Sequence, residues 1–325
     1  MVHRLIRMRA LEAGRLLGHY LVVIDGTGQL YFRQRHCEHC LTRTTDGKTQ
    51  YFHHVLEAKL VTPEGLAISV GSEFIQNTNP KATKQDCELK AFARLAGQLK
   101  KDFPQLPLCL CLDGLYANGT VIQTCQANHW KYFITFKEGS MPAVWKEYQT
   151  LLSLCTANCK HATPGGMRQE LAWVENLEYV DDQKRQHRFG AFECREGGRQ
   201  NRRLFAWITN FHLRADNVAM LANRGARSRW KIENEGFNIQ KNGGFNLEHA
   251  YSTGSWQIQN LYILLQIAHL ILQLVERGSL LKADCKRLFG SIRNMARQLA
   301  ESFRNHLIPA QTLDSATIQI RMDGS

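Results

Sequence analysis

A chain of 325 residues, 44% of them apolar, is long enough to bury a large core, and one α/β unit with a sizeable insertion is expected. Its 41 Lys and Arg outnumber 29 Asp and Glu and leave +12 at pH 7, which favours a polyanionic partner such as nucleic acid. Neither a Walker A loop nor a Gly-x-Gly-x-x-Gly occurs, so nucleotide hydrolysis has no support.

Residues 1–19 read as a short basic amphipathic helix, with Leu5, Met8, Leu11 and Leu16 on one side and Arg4, Arg7, Arg9 and Arg15 elsewhere. No small-residue cleavage site follows, which argues against a secretory leader. Tyr20 to Ile24 is an apolar strand ending at Asp25-Gly26-Thr27-Gly28, which reads as a turn. Residues 29–35 and 49–60 then form a hairpin around the cluster His36-Cys37-Glu38-His39-Cys40 and a polar turn. A third strand covers 66–70, and 84–101 is an amphipathic helix with Leu89, Phe92, Leu95 and Leu99 on its apolar side. Leu108 to Leu112 is apolar throughout, as a strand covered on both faces is, and it too ends in an acid, Asp113-Gly114.

From 120 to 213 short alternating runs between polar turns predict a mostly β insertion with one helical piece at 144–155. Asp216 starts a short helix that Gly225 breaks. A helix over 227–241 follows, with Arg229, Glu233 and Phe237 on one face and Asn242-Gly243-Gly244 as its stop. The tail is helical over 256–277 and 280–303. Its most apolar part, 261–275, falls short of the ~18–20 residues a membrane span needs and carries Gln266, His269 and Gln273, so it is expected as a core helix with no membrane partner. Ten Cys, several inside apolar runs, fit thiols of a reducing, cytoplasmic compartment.

Three of the carboxylates stand out together: Asp25 and Asp113 end buried strands, and Glu233 sits on a helix after a β-rich insertion. Such a set converging in one crevice suits a pair of Mg²⁺ or Mn²⁺ ions, hard cations that activate a water or a 3′-hydroxyl for in-line attack on a phosphodiester. Taken singly, each Asp-Gly fits a strand-end turn better, and Arg229 with Glu233 an exposed ion pair.

The chain as a whole resembles a DDE transposase of a bacterial insertion sequence. The matching pieces are Val23-Ile24-Asp25-Gly26-Thr27, residues 84–92, Leu112-Asp113-Gly114-Leu115-Tyr116 and Arg229-Trp230-Lys231-Ile232-Glu233, with Leu247-Glu248-His249 behind them. The resemblance implies an RNase-H-like mixed sheet flanked by helices, formed by 20–119 and 214–278. A β insertion over 120–213 would precede the catalytic Glu, and a helical tail would occupy 279–325. It implies metal-dependent cleavage and strand transfer on double-stranded DNA by a homodimer, with Asp25, Asp113 and Glu233 as metal ligands and Arg229 and Lys241 at the DNA phosphate. An inactive basic DNA-binding remnant and a nuclease of the same fold are the alternatives. The relatives' signature is Tyr-x2-Arg-x3-Glu-x6-Lys, whereas Ala226 stands at the Tyr position, Gln240 at the Lys position, and Lys241 one residue late. On a straight helix residue 240 lies about 20° from Glu233 and residue 241 about 80°. A bulge in the helix would bring Lys241 back.

Cys37-x2-Cys40 with His53 and His54 has the spacing of a structural Zn²⁺ site closed by a hairpin. Cys155-x3-Cys159 with His161 is a weaker match lacking a fourth ligand.

Overall fold

The structure is a computed structural model that describes all residues except 36, 78–83, 198–202, 279–287, 308 and 310–325. Among the described residues ten strands form one mixed sheet: β1 (Tyr20–Phe32), β2 (Leu41–Thr45), β3 (Lys48–Val61), β4 (Ala67–Ile75), β5 (Leu108–Leu112), β6 (Lys131–Thr135), β7 (Cys159–Ala162), β8 (Gln169–Val180), β9 (Gln186–Glu196) and β10 (Arg203–Thr209). The order is β2-β3-β1-β5-β6-β10-β9-β8-β7, with β4 also on β3. β1, β5 and β6 run parallel, and the pairs outside them are antiparallel. Parallel neighbours require crossovers, and helices α2 (Glu88–Asp102) and α3 (Gly119–Ala127) supply them before β5 and β6.

Strand alternation buries both faces of the sheet. On one, Val22 and Ile24 meet Phe92 and Leu95 of α2; on the other, Leu21 and Val23 meet Leu221, Ile232 and Phe237. Those three belong to a continuous helical run made of Val218–Met220, Leu221–Gly225, Ala226–Arg229, Ile232–Phe237 and Asn238–Asn242, called here the composite helix. The long helix Ser255–Arg277 lies over β3 and β4. There Gln273 both accepts from the Ala67 amide (2.7 Å) and donates to its carbonyl (3.2 Å).

Several elements differ from expectation. The 1–19 helix is only α1 (Val2–Arg7) and a 3₁₀ turn Glu12–Gly14, because Arg9 takes φ 57° and ends the helix. The Asp25–Gly28 turn is absent: β1 runs straight through it, paired Asp25 to Glu57 and Gly26 to Leu56. Residues 120–136 hold most of α3 and all of β6, and β6 pairs in parallel with β5. The remaining insertion strands extend the same sheet through β10 on β6, with helix α4 (Pro142–Leu154) packed beside them. At Gly225 (φ −100°, ψ −89°) the composite helix departs from helical geometry and passes from a π segment to a 3₁₀ one without ending. The long helix, with polar residues added at its start, is long and apolar enough to cross a membrane; in this fold Tyr262, Gln266, His269 and Gln273 are buried within the protein. Of the expected second tail helix, residues 280–287 lie outside the described residues, and Ile292–Asn305 is helical behind a Ser291 cap.

Candidate active site

Sheet register brings the first two acids together. Val22 pairs with Leu110 and Val23 with Cys111 on parallel neighbours, so the same advance of two residues sets Asp25 beside Asp113, on strands roughly 4.8 Å apart. Asp113 lies just past the end of β5, where its carboxylate accepts the Leu115 amide at 2.9 Å and caps the 3₁₀ turn Gly114–Tyr116. Asp25 accepts the Gly26 amide at 3.0 Å through Oδ1 and the Arg229 Nη1 at 3.0 Å through Oδ2.

Arg229 and Glu233 arrive on the composite helix, whose segment Ile232–Phe237 is a π-helix. A π turn holds one more residue than an α turn, so every position beyond it is shifted by one. Burial records the shift: Phe237 and Gln240, four and seven residues after exposed Glu233, are 1% and 0% exposed, while Asn238 and Lys241, five and eight residues on, reach the surface. Lys241 therefore takes the angular position that residue 240 would hold on a straight helix, and its ammonium pairs with Glu248 at 3.3 Å. Gln240 instead points inward, donating to Gln266 Oε1 at 2.7 Å. Glu235 lies elsewhere on the helix, 3.5 Å from Lys231.

A fourth carboxylate, absent from the expected set, completes the cluster. Glu88 stands in the first turn of α2, accepts the Tyr116 hydroxyl at 3.2 Å and lies 3.7 Å from His54. Its neighbour on β1 is Gly26, where an added Cβ would fall 2.4 Å from Glu88 Oε1 and 2.8 Å from His54 Cε1. That collision explains a glycine in mid-strand. The signal available beforehand was an acid opening an amphipathic helix after a polar connector, which is also what any helix N-terminus favours.

The electrostatics link the acids through Asp25 and Glu88. Burial pushes the Asp25 carboxyl up, Arg229 pulls it down, and Asp113 and Glu233 push it up again. Burial likewise raises Glu88, with the Tyr116 hydrogen bond opposing and Asp25 and Asp113 adding to the rise. Burial lowers His54, favouring the neutral imidazole.

Behind the composite helix lies a buried polar network. Lys59 and Glu57 are both 0% exposed, 3.5 Å apart; Lys59 donates to Gln266 (2.6 Å), and Glu57 accepts from Tyr262 (3.0 Å) and Ser72 (2.5 Å). The Lys59 stem lies against Gly236, where a Cβ would be 3.0 Å from Cδ. His269 closes the network through Gln240 at 3.0 Å, and burial with the nearby Lys59 charge lowers its pKa to about 3.

Of the metal residues expected at the hairpin, Cys37, Cys40 and His53 come together within 4.8 Å, whereas His54, the next residue along β3, faces the opposite side toward Glu88. No other His, Cys, Asp and Glu grouping of that compactness occurs among the described residues; Cys155, Cys159 and His161 do not form one. Glu73 is held by Arg94 at 2.5 Å, and Trp130, Trp173 and Trp207 are buried core residues.

No family model and no curated protein matches the chain. Among solved structures it is similar to piggyBac transposase in a cryo-EM synaptic complex with hairpin DNA, at 10% identity and a TM-score of 0.35. The likeness covers 92% of this chain and 60% of that one, so the chain spans about 60% of the length of that protein.

Proposed function

We propose that the chain is a DDE-type DNA transposase with an RNase-H-like core. It would cleave and rejoin double-stranded DNA at the ends of a bacterial insertion sequence, working as a homodimer. The observation that carries this reading is the convergence of Asp25, Asp113, Glu233 and Glu88, from four separate elements, beside Arg229 in a chain of net charge +12.

The donor set fits a divalent cation: all four offer hard carboxylate oxygens, and the partly buried Asp25 and Glu88 are pushed up by burial and by their acidic neighbours, a repulsion that Mg²⁺ or Mn²⁺ would relieve. Asp25, Asp113 and Glu233 would hold the metal, with Glu88 beside them, and the ion would supply Lewis-acid activation of the attacking oxygen and stabilise the leaving one. Arg229, tied to Asp25 when DNA is away, is placed to turn its second nitrogen onto a backbone phosphate, which a planar guanidinium clamps through paired hydrogen bonds. Lys241 adds a mobile positive charge on the same side of the composite helix. Tyr116 fixes Glu88.

Purified protein incubated with Mg²⁺ and labelled DNA carrying the element ends tests the reading. Cleavage followed by joining is expected, both lost in Asp113→Ala and Glu233→Ala. Undiminished cleavage in either variant sinks the assignment, and cleavage without joining identifies a nuclease instead.

A further inference from the structure

The chain leaves β1 at Phe32 on one edge of β3 and rejoins the sheet as β2 on the other edge at Leu41, so the connection between them crosses a face of β3. Cys37 and Cys40 lie in that crossing, and His53 of β3 rises to meet them. The separations are 3.5 Å between the two sulfurs, 3.4 Å from Cys37 Sγ to His53 Nε2 and 3.8 Å from Cys40 Sγ to the same nitrogen. A disulfide would need about 2.05 Å. Tetrahedral Zn²⁺, with ~2.3 Å bonds to sulfur and ~2.05 Å bonds to nitrogen, has edges of ~3.8 Å between sulfurs and ~3.6 Å from sulfur to nitrogen. The three side chains already span one face of that tetrahedron.

A further feature fits a metal centre. Cys40 is 0% and His53 7% exposed, so the centre is shielded.

We propose that Cys37, Cys40 and His53 bind a structural Zn²⁺ that staples the crossing loop to β3. Soft sulfur with imidazole selects zinc over the hard cation of the carboxylate cluster. His53 stands four residues along β3 from Glu57, the partner of Asp25, or ~14 Å, so this ion takes no part in phosphodiester chemistry. Its effect is to hold the end of β3, where His54 faces Glu88.

The test needs no DNA, so its outcome is independent of the transposase reading. Full-length protein purified without chelator is analysed for metal by mass spectrometry, then refilled with Co²⁺ and examined for a thiolate-to-cobalt charge-transfer band. About one zinc per chain is expected, lost in Cys37→Ser/Cys40→Ser and kept in the control Cys155→Ser/Cys159→Ser. Should the first pair fail to fold, His53→Cys provides the same discrimination, since it retains zinc and intensifies the cobalt band through a third thiolate. Wild-type protein with neither zinc nor the cobalt band, zinc undiminished in Cys37→Ser/Cys40→Ser, a cobalt band unchanged in His53→Cys, or a different metal in the purified chain would overturn the proposal.

Discussion

Arg229 reaches from the composite helix to Asp25 on β1, bridging 204 positions of sequence with a 3.0 Å Nη1–Oδ2 hydrogen bond. The pair is partly exposed, so its contribution to folding is modest, about 1 kcal/mol or less. In the proposed reaction its contribution at a developing phosphate charge would be larger. Arg229→Gln is expected to slow DNA cleavage by about 10²-fold while shifting urea stability only slightly. Cleavage within twofold of wild type would remove Arg229 from the site.

Glu88 holds its proton to higher pH in the native chain than in the unfolded one. Stability therefore falls as pH rises from the ordinary carboxylate value of 4.5 through the raised one, and at pH 7 the ionised group is a cost. In metal-free buffer Glu88→Gln should raise Tm at pH 7, keep the Tyr116 hydrogen bond, and lose its advantage below pH 4.5. The same change should reduce Mg²⁺-dependent cleavage. A lower Tm at pH 7 would contradict the role given to burial and to Asp25 and Asp113.

The π turn separates two neighbouring positions that sequence spacing alone confuses. Gln240→Lys would bury a cation beside Lys59 and should destabilise by roughly 3 kcal/mol or more. Lys241→Ala should leave stability within about 0.5 kcal/mol and weaken binding to DNA, lowering the salt dependence of binding by about one phosphate contact. The reverse pattern in urea titrations and filter binding would mean that the helix is not shifted at 232–237.

His269 adds an acid limb to stability. With its pKa near 3 in the fold and 6.5 when unfolded, the unfolded chain takes up the proton first, and stability is lost as pH falls from 6.5 toward 3. By pH 5 this group accounts for about 2 kcal/mol. Chemical denaturation of His269→Gln at pH 7 and pH 5 should show a correspondingly smaller difference than wild type; an equal difference would place the acid sensitivity elsewhere.

Much of the fold that frames the candidate site was readable because it rests on strong local signals. Leu108–Leu112 is a strand at both predicted ends, since an all-apolar run between prolines and an Asp-Gly leaves little choice. What stayed hidden depends on partners distant in sequence. Gly26 looks like a turn former until Glu88 and His54 are seen against it. Gly225 looks like a breaker, but it is the residue that lets the composite helix close on Phe133, which lies 2.6 Å from where its Cβ would be. The insertion's first strand reads as part of an alternating series, yet its parallel pairing with β5 is set by the α3 crossover rather than by its own pattern. His53 and His54 illustrate the limit of spacing: strand alternation sends one to the cysteines and the other to the carboxylates.

One additional residue placed in an ordinary helix swings everything downstream by about 100°, enough to part an acid from a base on the same face. The π turn at 232–237 takes up such a residue within the helix, so the charges of Glu233 and Lys241 stay on one flank although eight positions separate them.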